Sequence, residues 1–208
     1  MKNLYFLMII FFSTTLWSQS PADPWSITSG KVDAYTGIVA ANGRIGILPE
    51  DKPFEVRSII LNNVYDKESQ LGVSKILLGM NFGNLEMEID GVEITESNIS
   101  NWKQTLNMKE AAFTTSFDFN DKAHISYTIY ALRNVQYAGY IDFKVQAKTD
   151  ISIKVTGKIQ TPEEYQDPIS TFRILEDLET TMPILQTVAK SRFAKHTVAT
   201  SATFIWHD

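Results

Sequence analysis

The sequence predicts an all-β protein built as an antiparallel β-sandwich. Three observations carry that expectation. Apolar residues recur at every second position through most of the chain. Turn-forming pairs such as Asn42-Gly43 and Asp90-Gly91 separate apolar runs at hairpin spacing. The main interval with helical spacing is short and lies near residues 73–80. At 208 residues, 44% hydrophobic and 12% aromatic, the chain can bury roughly 70% of its unfolded surface, as one large domain or two small ones. Its 19 basic residues are interleaved with 24 acidic ones, for a net charge of −5. No basic face suited to nucleic acid is expected from that balance.

Taken in order, residues 1–20 read as a signal peptide: Lys2 is a positive start, Leu4 to Phe12 is an unbroken apolar run, and Ser18-Gln19-Ser20 offers a cleavage site. The run is too short to span a bilayer. Residues 21–208 are then expected to form the sandwich domain, secreted or periplasmic in a bacterial envelope, with no membrane attachment after cleavage. The absence of cysteine excludes a lipidated cysteine, a disulfide framework and a thiolate zinc site.

Gly37 to Leu48 holds two apolar runs hinged on Asn42-Gly43, and both hinge residues tolerate the positive φ of a two-residue type I′ turn. Phe54 to Leu61 reads as a strand ending at Asn62-Asn63. Val73, Ile76, Leu77 and Met80 have i, i+3, i+4, i+7 spacing, which predicts one or two helical turns, with an ordered loop as the alternative. Leu85 to Asp90 and Val92 to Thr95 form a hairpin across Asp90-Gly91, and Trp102 to Met108 reads as a strand. Phe113, Phe117, Phe119, Ile125, Tyr127, Ile129, Ile141, Phe143, Val145, Ile151, Ile153 and Val155 all fall on odd positions. Short joints at Asn120-Asp121, Arg133 to Gln136 and Thr149-Asp150 make these four strands an antiparallel meander. Thr161 to Pro168 is polar and Ile174 to Thr181 acidic, so a long surface loop is expected before strands resume near Ile184 and Thr197. Thr197 to Trp206 reads as a strand with an unpaired edge, and the expectation is a domain truncated at its C-terminal end.

Several residues invite a chemical reading. Glu86, Glu88 and Asp90 would project from one strand face roughly 7 Å apart, which overlaps the carboxylate spacing of inverting glycoside hydrolysis. Three acids in a row on one strand equally describe a solvated sheet face. His124, His196 and His207 sit in no metal or nucleophile motif, and a His-based acid or base would need the fold to bring a carboxylate to it. Turn geometry accounts for Gly43 and Gly46, which lack the context of a phosphate-binding loop. Trp25, Tyr65, Trp102, Tyr130 and Trp206 could stack on a sugar ring or fill the core. Asp66 and Asn81 flank the longest non-strand excursion, where a binding loop is expected. The candidate substrate contacts are therefore Tyr65, Asp66, Asn81 and Trp102, and no residue is assigned to catalysis, to a metal or to a cofactor.

Asp23-Pro24-Trp25, Ala41-Asn42-Gly43-Arg44-Ile45-Gly46, Leu78-Gly79-Met80-Asn81-Phe82, Leu85-Glu86-Met87-Glu88-Ile89-Asp90-Gly91 and Gln104-Thr105-Leu106-Asn107-Met108-Lys109 together resemble the N-terminal region of glycoside hydrolase family 65. The resemblance covers most of residues 21–208. It implies a galactose-mutarotase-like supersandwich placed before an (α/α)6 barrel, in enzymes that hydrolyse or phosphorolyse α-linked glucosides such as maltose, trehalose or kojibiose. In that family the general-acid Glu and the phosphate-binding loop belong to the barrel, so no catalytic role carries over to any residue here. The resemblance further implies packing on the barrel, loops that help close its sugar pocket, or a homodimer interface. A free-standing carbohydrate-binding module is the alternative.

Overall fold

The computed structural model describes residues 23–30, 38–67, 69–177, 180–193 and 196–205; the leader at 1–20, Gly37, Trp206 and His207 lie outside them. Among the described residues the regular elements are strands and one 3-10 turn, Glu96–Asn98. The strands are β1 (Ser26–Ser29), β2 (Ala40–Ala41), β3 (Ile45–Pro49), β4 (Val56–Lys67), β5 (Ser74–Gly79), β6 (Leu85–Ile89), β7 (Val92–Glu93), β8 (Ile99–Asn107), β9 (Ala112–Phe119), β10 (Ala123–Ala131), β11 (Gly139–Ala147), β12 (Ile153–Gly157), β13 (Tyr165–Asp177), β14 (Thr180–Ser191) and β15 (Thr197–Thr203). They form four antiparallel sheets, ordered β1-β8-β9-β10-β11, β2-β3-β4-β5, β12-β6-β7 and β13-β14-β15.

The odd-position pattern explains the main core. Successive side chains on a strand point to opposite faces, so Phe113, Phe117, Phe119, Ile125 and Ile129 all enter one layer. Facing them are Ile45, Ile47, Val56 and Ile59 of the β2–β5 sheet and Met87 and Ile89 of β6. A second, smaller core of Leu77, Met80, Tyr165 and Ala189, flanked by Val64, Ile159 and Val198, fastens the β13–β15 sheet to β4 and β5. There the Tyr165 hydroxyl donates to the Leu78 carbonyl at 2.5 Å. Burial, with Glu164 and Asp66 nearby, pushes that phenol well above the usual tyrosine range.

The structure corrects several local expectations. In the Asn42-Gly43 hairpin only Gly43 takes a positive φ, +88°. The Asn42 carboxamide oxygen instead accepts from Arg44 N at 2.8 Å and Ile45 N at 2.9 Å. Gly43 and Arg44 are therefore the central pair, with glycine first, the sign pattern of a type II′ turn. Residues 73–80 are not helical: Ser74–Gly79 is strand β5, paired with β4. Leu77 and Met80 enter the second core while Ile76 and Val73 are exposed, so the four residues at helical spacing do not form one buried stripe. The Phe54–Leu61 strand runs on past Asn62-Asn63, with Asn63 at φ +66° inside the irregular Ile60–Tyr65 stretch.

Three of the four strands of the expected meander pair consecutively, but β12 leaves them and pairs with β6, setting Ile153 against Ile89 and Val155 against Met87. That register matches apolar to apolar and sets Lys154 against Glu88. The expected loop at 161–181 is the long β13–β14 hairpin, paired from Tyr165↔Ser191 to Asp177↔Thr180. Its alternation is invisible because β13 is an edge strand with Ile169, Phe172, Ile174 and Leu175 all exposed, so neither face selects apolar residues against polar ones.

Candidate functional site

The acidic strand comes first, since its spacing suggested chemistry. On β6 the apolar Leu85, Met87 and Ile89 pack inward and Glu86 and Glu88 point out. Antiparallel pairing with β12 sets Lys154 beside Glu88, Nζ to Oε1 at 2.6 Å. Lys158 pairs with Glu86, and Lys122 with Asp90. Glu88 holds the Lys154 ammonium above the usual lysine range, and Lys122 holds the Asp90 carboxyl below the usual carboxylate range. Acid–base hydrolysis needs two carboxyl groups in unequal environments, one of them kept protonated. Here each acid faces a lysine, Lys154 and Lys158 from the β12 side and Lys122 from the β9–β10 turn, so the row is an ion-paired, solvated ladder.

Beside this ladder a cleft of about 1030 Å³ opens between the 3-10 turn, the ends of β6 and β12, and the β13–β14 hairpin. Glu55, Glu93 and Glu96 line it opposite Leu185 and Thr187. Asn84 bridges its wall, accepting from Val56 N at 2.7 Å and donating to the Gln160 side-chain oxygen at 2.9 Å. No aromatic side chain among the described residues lines it, so it offers hydroxyl-binding groups without a surface on which a sugar ring could stack.

The structure does not gather the four candidate contacts into one pocket, and none of them lines the cleft. Trp102 stacks on Phe117, centroids 5.7 Å apart at 14°, and packs against the main core. Asn81 is 5% exposed and fully engaged: its side-chain nitrogen donates to the Val56 carbonyl at 2.5 Å and its oxygen accepts from Gly83 N at 2.9 Å. Its backbone bridges to Gln160, with both N···O distances 2.8 Å. Tyr65 keeps an open side chain, 40% exposed, while its carbonyl meets His196 Nε2 at 2.9 Å.

Asp66 is 4% exposed, with Ser191, Phe193 and His196 beside its carboxylate. Its Oδ1 accepts from Lys67 N at 2.8 Å, and its Oδ2 is sealed without a hydrogen bond of normal geometry. Burial pushes the carboxyl up. The Ser191 hydroxyl, the Lys67 and Phe193 N–H groups and His196 outweigh burial and hold it below the usual carboxylate range.

A consequence for acid stability follows. A carboxyl whose folded pKa lies below its unfolded value of about 3.9 contributes stability that is complete above that value. The contribution is lost as pH falls through the lower, folded value. Asp66→Asn is expected to flatten the acid limb of a stability-against-pH curve below about pH 4, read by urea midpoints from pH 7 to pH 2. An unchanged limb would show that Asp66 carries none of it.

Of the histidines, His207 lies outside the described residues and His196 is spent on the Tyr65 carbonyl. His124 does acquire a carboxylate: Asp118 Oδ1 lies 2.8 Å from its Nδ1, and Asp118 Oδ2 accepts from Asn101 Nδ2 at 2.7 Å. Asn101 reaches it from a bulge in β8, where its φ is +54°. Asn101 and His124 hold Asp118 below the usual carboxylate range. The sequence reading missed this cluster, although Asp118 and His124 flank the Asn120-Asp121 turn symmetrically and a hairpin there sets them side by side. Ser191 was missed too, because nothing local ties it to Asp66, 125 positions earlier in the chain.

With that geometry in view, comparison with known proteins decides the lineage. The family model described as glycosyl hydrolase family 65, N-terminal domain, matches residues 36–205. The chain is 32% identical to a protein named kojibiose hydrolase from Mucilaginibacter mallensis, over 99% of its own length and 31% of the relative's. It is 30% identical to a kojibiose hydrolase from Flavobacterium johnsoniae, over 100% of its length and 30% of that relative's. The chain thus spans under a third of the length of either relative. By its match across the greater part of its length, the chain belongs to glycosyl hydrolase family 65, in the region of that family's N-terminal domain.

Proposed function

We propose that this chain serves as the non-catalytic N-terminal domain of an exported family 65 enzyme acting on α-linked glucosides, supporting an (α/α)6 catalytic barrel and its sugar pocket. The observation that carries the reading is the extent of the match: the family's N-terminal domain aligns along 36–205, while relatives named kojibiose hydrolase are about three times as long. The lysine-compensated acids on β6 support it further, since they leave that strand without a hydrolytic pair. Export rests on the leader at 1–20. Kojibiose, by the relatives' names, is the first substrate to try with the whole enzyme, and Tyr65 is the candidate contact with a side chain open to a ligand.

The expected result is no turnover by the purified chain alone. Glucose and glucose 1-phosphate would be assayed after incubation with kojibiose, maltose and trehalose, with and without phosphate. Release of either product in proportion to protein concentration would overturn the reading.

A further inference from the structure

The outer face of the five-stranded sheet carries residues used by neither the ion-pair ladder nor the cleft. Strand register sets Thr28, Thr105, Thr114, Thr128 and Asp142 in one row across β1, β8, β9, β10 and β11. Adjacent strands lie about 4.8 Å apart, so the four threonines span about 14 Å at a regular interval. Thr28 and Thr105 share a hydroxyl hydrogen bond of 3.0 Å, and Thr114 and Thr128 one of 2.9 Å. A hydroxyl pair joined in this way still holds one free O–H and several lone pairs for a ligand.

One row along, Tyr130 stands opposite Tyr140, and their rings stack with centroids 6.1 Å apart at 26°. Tyr140 is 49% exposed. The row on the other side holds Lys103, Ser116, Ser126 and Lys144. No large aliphatic side chain occurs in these three rows, in contrast to the bare Ile169, Phe172 and Ile174 of β13, which have the character of a protein-packing surface. Asp142 lies 3.7 Å from Lys144, and in the next row Asp118 lies 3.9 Å from Lys148, so each acid on this face is matched by a lysine. A flat surface with an open aromatic ring beside a line of hydroxyls complements a molecule with apolar C–H faces and many hydroxyl groups.

We propose that this face binds a neutral oligosaccharide, with Tyr140 as the stacking platform and Thr114, Thr128 and Asp142 as its hydrogen-bonding partners. The choice of α-glucans as probes rests on the function proposed above; the site itself rests on register and exposure. The test titrates the ¹⁵N-labelled chain with maltoheptaose and with dextran oligosaccharides, following amide shifts. Saturable shifts are expected on β9, β10 and β11 around Thr114, Thr128, Tyr130 and Tyr140. Tyr140→Ala should weaken binding about tenfold, since an aromatic stack is worth of the order of one such step. Thr128→Val should weaken it by a smaller factor. The proposal is overturned if neither sugar shifts these amides at millimolar concentration, if the shifts centre on the cleft beside Glu86, or if Tyr140→Ala binds as tightly as the parent. Absence of binding leaves the domain reading standing, because that reading is tested by turnover; turnover by the chain alone sinks the domain reading and leaves this site to be judged by titration.

Discussion

Phe117→Ala is expected to lower the unfolding free energy by about 3–5 kcal/mol, the usual cost of emptying a buried phenylalanine site. Phe117 is 0% exposed. It meets Phe54 edge-on, centroids 5.6 Å apart at 71°, and lies flat against Trp102. Strands on both sides of the cavity are tied by hydrogen-bond ladders and cannot collapse far, which places the cost at the upper end of that range.

A second effect adds to the cavity. Phe54 sits at φ +59°, a left-handed conformation that bulky side chains rarely adopt. It is held there by aromatic contacts with Phe117, Tyr127 and Phe143 and by the Tyr127 hydroxyl, which accepts from Phe54 N at 3.0 Å. Removing one wall of that cage weakens the restraint on a strained residue. Because small domains are stable by only about 5–15 kcal/mol, urea unfolding should show a midpoint shifted far down for Phe117→Ala and much less for Phe117→Leu, which keeps most of the volume. Equal shifts for both would mean that ring shape rather than filled space is what the site requires.

Phe117 also shows which part of the fold was legible in the sequence. It lies in the run from Phe113 to Ile129, where the odd residues are apolar except Thr115 and the turn residue Asp121 and the even ones are polar, and there the predicted strands and core face agree with the structure. The pattern is strong because that sheet has one buried face and one wet face, so each position is under one constraint. Legibility fails where that condition fails. β13 is exposed on both faces and reads as a loop; β5 is short, and Ile76 on it and Val73 just before it face solvent, so chance spacing imitates a helix. The excursion of β12 to β6 depended on long-range pairing of lysines with glutamates, which no local window contains.

The candidate contacts divide along the same line. The sequence reading set Asp66 and Asn81 in a non-strand excursion, which suggested a binding loop, whereas Asp66 lies within β4 and Asn81 just beyond β5. Whether a polar side chain in such a place points at solvent or at the backbone is decided by residues far away in the chain: Val56 for Asn81, and Ser191, Phe193 and His196 for Asp66. Trp102 was placed on its strand correctly, yet only the β8–β9 register shows that its ring lies against Phe117. Tyr140 and the threonine row were equally beyond local reading, because they become neighbours only once five strands are set in register.

Asn81→Ala is therefore expected to act on stability and not on sugar contact. The Asn81 carboxamide satisfies the Val56 carbonyl and the Gly83 N–H, both in a buried setting, and alanine offers neither partner. A buried donor or acceptor left unpaired costs about 1–3 kcal/mol, so the two together predict a loss of about 2–6 kcal/mol. The segment has little freedom to find substitutes. Asn81 is bridged to Gln160 through its backbone, and a Cβ at Gly83 would lie 2.6 Å from a Val56 methyl carbon, which shows how closely the two chains approach. That proximity also limits the entry of a water molecule that could replace the lost groups, since such a water needs both room and polar partners. Urea denaturation should show a lower midpoint with an unchanged slope, the sign of lost stability without a change in the surface exposed on unfolding. A midpoint equal to the parent's, together with weakened binding of maltoheptaose, would reverse the assignment and return Asn81 to the ligand.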